Sequence, residues 1–161
     1  SMEAKNRIRR KGLLTVSSGD AFQPFSYSVG RFGSRFFAEL RDKKRLLGVR
    51  CPGCAKVYVP PRPLCGPCWR EMSEWVEVGP QGTLAAFTIL RFAFVDPETG
   101  RKKPVPYGYG FITLDGAATQ LQHFLRVEEG RAPRIGMRVA PVFAENRTGS
   151  LSDIVHFSEV S

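Results

Sequence analysis

The chain has no apolar run approaching the ~20 residues that a membrane-spanning helix needs. Its basic start carries no signal-type apolar core, because Leu13 and Leu14 are soon followed by polar residues. Neither membrane insertion nor export is expected. Histidine is scarce, with only His123 and His156. No Gly-x-Ser-x-Gly elbow and no Gly-rich phosphate loop ending in Lys-Ser or Lys-Thr occurs, so the common hydrolase and nucleotide-hydrolysing signatures are missing. His123 alternates with Leu121 and Leu125, which reads as a packed side chain rather than a base. Cysteine is limited to four residues, and none is left over to act as a free nucleophile.

Those four cysteines fall within one stretch, Cys51-Pro-Gly-Cys54 and Cys65-Gly-Pro-Cys68. Two Cys-x-x-Cys corners facing each other present four thiolates to one ion, and Pro and Gly inside each pair suit the tight turns required. The four cysteines are therefore the expected metal ligands. Zinc is the default, since a closed four-thiolate site suits an ion with no redox task; rubredoxin-type iron uses the same ligands and stays open. A closed site makes the metal structural. Such thiols, without an export signal, point to a reducing cytoplasm.

What the chain has in plenty is positive charge. The net charge is +9, and 17 of the 24 basic residues are Arg. Arg's planar fork suits phosphate oxygens, so an anionic partner (nucleic acid, a phosphorylated cofactor or an acidic protein face) competes with a merely basic surface. Hydrophobic residues at 42% suffice for a core.

Residues 1–31 read as an arm, basic at Lys5, Arg7, Arg9, Arg10 and Lys11, with Phe22, Phe25 and Tyr27 as candidate docking aromatics. Residues 33–46 read as a helix capped by Ser34, with Phe36, Phe37 and Leu40 on its apolar side. Val57-Tyr58-Val59 reads as a short strand ended by Pro60 and Pro61; Trp69 follows the last cysteine, and Trp75 and Val76 close the module. Beyond Gly79, strands are expected over 83–94, 107–115, 119–127, 137–144 and 153–160, with a hairpin at Asp115-Gly116 and a turn near 130–135. The fold class is mainly β: an N-terminal helix and four-Cys zinc ribbon over 32–78, then a five-stranded OB-type barrel over 79–161.

Particular segments carry a resemblance: Leu47-Gly-Val-Arg-Cys51-Pro-Gly-Cys54, Pro60-Pro61-Arg62, Cys65-Gly-Pro-Cys68, Gly82-Thr-Leu, the run from Pro106 to Gly116, and Ile135-Gly-Met-Arg-Val139. Over about residues 32–160 the chain resembles the rubredoxin-like zinc ribbon plus OB-fold acyl-CoA-associated family, long catalogued as a domain of unknown function. That resemblance implies a small non-catalytic partner of a thiolase-like enzyme, or second an aldolase-like one, in degradation of aromatic or branched acyl groups. It also implies one structural zinc per chain and a coenzyme A thioester shared with the partner's active site.

The residues expected at the CoA site are Arg91, Lys103, Tyr107, Gly108, Tyr109 and Gly110. Arg91, Arg101, Lys102 and Lys103 flank the first barrel loop, where phosphates would sit. Gly108 and Gly110 leave one strand face bare while Tyr107, Tyr109 and Phe111 line the other. A bare face admits a ligand or, alternatively, relieves barrel curvature. Nucleic-acid binding is the competing class, because ribbons and OB barrels both bind nucleic acid and these aromatics could stack bases.

Overall fold

The computed structural model describes residues 31–92, 95, 97, 100–102, 106–128 and 130–160, and the backbone of 14–17 and 26–29. Strands β1 (Leu14–Ser17) and β2 (Ser26–Val29) pair antiparallel, so part of the expected arm is a hairpin. Phe22, Phe25 and the Tyr27 side chain lie outside the described residues.

Helix α1 (Arg31–Lys43) starts and stops earlier than the sequence suggests. Ser34 sits inside it rather than capping it, while Phe36, Phe37 and Leu40 are buried as their spacing implies. Arg41 and Lys43 occupy the last turn, where cations complement the helix dipole. The helix breaks at Lys44, which takes a left-handed backbone (φ 54°).

The residues after it form β3 (Leu46–Arg50), which pairs antiparallel with β4 (Val57–Tyr58) and β5 (Glu74–Val78) in the order β4-β3-β5. The sequence places Leu46 in the helix and assigns Leu47–Val49 to no element. A sheet forms instead because both faces of β3 are covered: Leu46, Leu47 and Val49 are all buried. Gly48 is required there, since a Cβ would lie 2.6 Å from a Val57 methyl and 2.9 Å from one of Val59.

The second half is a closed barrel in the order β10-β8-β7-β6-β9: β6 (Gly82–Leu90), β7 (Tyr107–Leu114), β8 (Leu121–Leu125), β9 (Arg138–Phe143) and β10 (Ile154–Glu159). This is the expected five-stranded OB-type architecture, with β6 ending at Leu90 instead of Phe94. A bulge between Leu84 and Ala86 bends β6 and switches which of its side chains face inward. Gly116 turns the hairpin after β7 with φ 88°. Closure at the far edge is narrow, one parallel pair of Phe157 and Leu125. A 3-10 turn at Leu151–Asp153, not foreseen, precedes β10; buried Asp153 accepts the amides of Thr148 (2.7 Å) and Gly149 (2.8 Å) there.

One hydrophobic cluster joins the helix, the small sheet and the barrel. Phe36 and Leu40 from the helix, Leu46, Val57, Val59 and Val78 from the small sheet, and Leu84, Ile112, Leu125, Val139 and Phe157 from the barrel belong to a single cluster. Each such side chain contributes roughly 1.5–3 kcal/mol relative to exposure. Polar bonds reinforce the join. The Thr119 hydroxyl accepts the Val59 amide (2.8 Å) and donates to its carbonyl (2.9 Å), and Ala118 N–H donates to Val57 O (2.8 Å). Among the described residues no helix is long and apolar enough to cross a membrane.

Candidate metal centre and barrel face

The two cysteine corners fold as a matched pair. In the first, Ala55 N–H donates to Cys51 O (2.9 Å) and Cys51 N–H to Lys56 O (2.9 Å). In the second, Trp69 N–H donates to Cys65 O (2.8 Å) and Cys65 N–H to Arg70 O (2.9 Å). The left-handed residues are Ala55 (φ 63°) and Trp69 (φ 54°), one step after each second cysteine, and neither is a glycine. The sequence offered Gly53 and Gly66 as the turn-makers, but neither takes a positive φ.

This geometry gathers the four sulfurs within 4.8 Å of one another. A tetrahedral ion with bonds of ~2.3 Å sets thiolates about 3.8 Å apart. Cys54 Sγ and Cys65 Sγ are separated by 3.7 Å, so the residues present fit such an ion. Gly53 N–H points at Cys51 Sγ (3.3 Å), and the Tyr58 hydroxyl lies 3.1 Å from Cys65 Sγ. That hydroxyl draws the Cys65 thiol down to about 6, while the same contact pushes Tyr58 up to about 12. Cys68 moves the other way, pushed up to about 12 first by a hydrogen bond with the Cys54 thiol and then by burial. Four sulfurs this close cannot all ionise without a cation, and a bound metal resolves that conflict.

Val49, Cys51, Tyr58, Cys65 and Met72 form a small core around the site, backed by Phe32 and Trp75. Arg62 stacks its guanidinium on the Tyr58 ring (4.6 Å) and helps hold that ring in place. Nothing in the sequence marked Tyr58 as a sulfur partner, because the contact joins β4 to the second cysteine corner, seven residues on. Trp69, directly after the last cysteine, is 83% exposed.

On the barrel, Arg91 follows β6 directly and is exposed, as are Arg101 and Lys102; Lys103 lies outside the described residues. The β7 residues divide between two faces. Tyr107 and Tyr109 lie with Phe124 on the outer side, at ring separations of 6.0 and 5.7 Å, beside Leu90. Burial raises both tyrosine hydroxyls. Gly108 and Gly110 face inward and are buried. A Cβ at Gly108 would meet Leu125 O at 3.0 Å, and one at Gly110 would meet a Leu84 methyl at 2.9 Å. The bare face is thus filled by the barrel's own core, which favours the packing alternative over a ligand channel.

His123 is buried with its ring engaged at both nitrogens. Nδ1 accepts the Phe124 amide (2.8 Å), leaving Nε2 to donate to Leu151 O (2.8 Å). Its work is to tie β8 to the 3-10 turn.

Comparison with known proteins agrees with this architecture. Residues 38–73 match the family model for the ChsH2 rubredoxin-like zinc ribbon domain, and residues 75–144 match that for the ChsH2 C-terminal OB-fold domain. A DUF35 domain-containing scaffold protein of Methanocaldococcus jannaschii is 28% identical over 110 residues, spanning 68% of this chain and 74% of the relative. A crystal structure of a DUF35-family protein of unknown function from Sulfolobus solfataricus superposes with TM-score 0.60 at 19% identity, covering 81% of this chain and 87% of that one. A chain of the Ltp2-ChsH2(DUF35) aldolase superposes with TM-score 0.58 at 22% identity, covering 81% and 95%. With both domain models matched in order and four cysteines gathered as a ribbon demands, the chain belongs to the DUF35 family of ChsH2-type zinc-ribbon and OB-fold proteins.

Proposed function

We propose that this chain is a non-catalytic accessory subunit of an enzyme that makes or breaks a carbon–carbon bond in a coenzyme A thioester. The observation that carries the reading is the likeness to a chain of an aldolase assembly, together with a relative named as a scaffold protein. The described site chemistry supports it. All four cysteines sit in the ribbon cluster, and His123 spends both ring nitrogens on structure.

In this reading Cys51, Cys54, Cys65 and Cys68 hold one structural zinc, worth about 10–16 kcal/mol in small zinc modules. Residues 32–78 form the ribbon unit and 79–161 the barrel, with 1–31 as an arm reserved for assembly. The exposed cations Arg91, Arg101 and Lys102, with Lys103 next in sequence, meet the phosphates of CoA, and Tyr109 borders the thioester arm on the outer barrel face. The catalytic partner is a thiolase-like or aldolase-like enzyme of the reducing cytoplasm.

Turnover of candidate acyl-CoA thioesters tests this, measured for this chain, for the co-purified partner and for their mixture. Only the mixture should be fully active. Turnover by this chain alone, or by the partner alone at the rate of the mixture, would overturn the proposal.

A further inference from the structure

The two cysteine corners close with the same hydrogen bonds, and each places its fifth residue in the left-handed region. That region disfavours any Cβ, bulky side chains most of all, and glycine fills it without strain. The first corner puts Ala55 there. The second puts Trp69, the largest side chain available, and leaves it 83% exposed. Trp75, the only other tryptophan, lies 5.6 Å from Phe32 and beneath Arg35 at 4.8 Å. Trp69 is therefore a side chain that the turn disfavours and the core does not enclose.

Its neighbourhood has a definite chemistry. Leu64, bridged to Glu71 across the same hairpin, is 44% exposed. Lys56, Arg62 and Arg70 are exposed around the two corners, against one carboxylate on the hairpin, Glu71. The Trp69 backbone is pinned by its bond to Cys65 O and by the neighbouring ligand Cys68, so little chain entropy remains to be lost on contact.

We propose that Trp69, with Leu64 exposed on the same hairpin, is a docking anchor that enters an apolar socket rimmed by carboxylates on the catalytic partner. Tryptophan and arginine dominate the energetic centres of protein interfaces, and a basic surround selects an acidic rim. The same cations repel a second copy of this tip. The inference rests on the accessory-subunit reading and adds a contact that reading does not contain.

Hydroxyl-radical footprinting read by mass spectrometry reports on Trp69 of this chain alone. The comparison is between the free metal-loaded protein and its complex with the co-purified catalytic subunit. Trp69 should be oxidised readily when free and protected in the complex. Trp69→Ala should weaken association roughly tenfold or more, with metal content unchanged. Trp69→Gly separates docking from folding: it relieves the left-handed strain, so it should be at least as heat-stable as the natural chain and yet bind as poorly as Trp69→Ala. A complex that forms with Trp69 as reactive as before overturns the anchor and leaves the accessory role standing. Protection by single-stranded nucleic acid or phosphatidylserine vesicles, but not by the subunit, overturns the protein socket. Failure of the subunit to associate at all overturns both.

Discussion

Replacing Thr119 by Val keeps the shape of the side chain and removes its hydroxyl. That hydroxyl accepts from Val59 N–H at 2.8 Å and donates to Val59 O at 2.9 Å, joining the turn between β7 and β8 to the strand that carries Tyr58. Val59 is 1% exposed, so water has poor access to the groups left behind. Each hydrogen bond is worth about 1 kcal/mol net, and each orphaned buried group costs ~1–3 kcal/mol. Thr119 is half-buried, which places the total near the low end, at about 2–3 kcal/mol. For a chain of this size that corresponds to a fall of roughly 4–12 °C in melting temperature. Urea unfolding of the metal-loaded protein measures it: the midpoint should drop while the denaturant slope stays constant. Thr119→Ser retains the hydroxyl and should keep most of the stability. If Thr119→Val lies within ~0.5 kcal/mol of the natural chain, or Ser loses as much as Val, the hydroxyl is not what joins ribbon and barrel.

Two further outcomes are expected. Metal analysis should find one zinc per chain, and Cys51→Ser or Cys68→Ser should strip it and unfold residues 46–78 by amide exchange; native protein with these thiols as disulfides, or carrying iron, contradicts this. Arg138 grips Asp115 with two hydrogen bonds, at 2.8 and 2.5 Å, and holds that carboxyl below its ordinary value. A depressed carboxylate adds stability above its unfolded pKa and loses it as pH falls through the folded value. The deficit of Arg138→Met, followed by thermal melts, should therefore be constant above roughly pH 5 and shrink toward pH 3; a deficit that grows in acid would refute the pairing.

The parts of this fold legible in the sequence were those written in spacing. The cysteine pairs fixed the metal cluster, the alternation in β7 and β8 marked the barrel, and Phe36, Phe37 and Leu40 marked the helix face. What escaped was punctuation without glycine. Lys44, Ala55 and Trp69 all take left-handed backbone, and no residue type at those positions signals it. The helix was accordingly extended to Leu46, and β3 was missed because an apolar run buried on both faces has no period of its own. Gly108 and Gly110 were visible, but which side of the strand they opened was not. That depends on Leu84 and Leu125 arriving from neighbouring strands. Trp69 is visible in the sequence as a tryptophan, but neither its left-handed backbone nor its exposure is.

The shared core has a bearing on how the protein comes into being. Phe36 and Phe157 stand near opposite ends of the described chain, yet both lie in the same apolar cluster. As the chain emerges from synthesis, Leu46, Val57, Val59 and Val78 are made long before the barrel strands that cover them. Through that interval the ribbon has an uncovered apolar side and little of its own to hide it. Metal capture at the four cysteines is local in sequence and needs no barrel, so it can hold the small sheet in register while it waits. An ion held there would act as a timekeeper as well as a staple, keeping an early, unfinished surface in shape until the last strand closes over it.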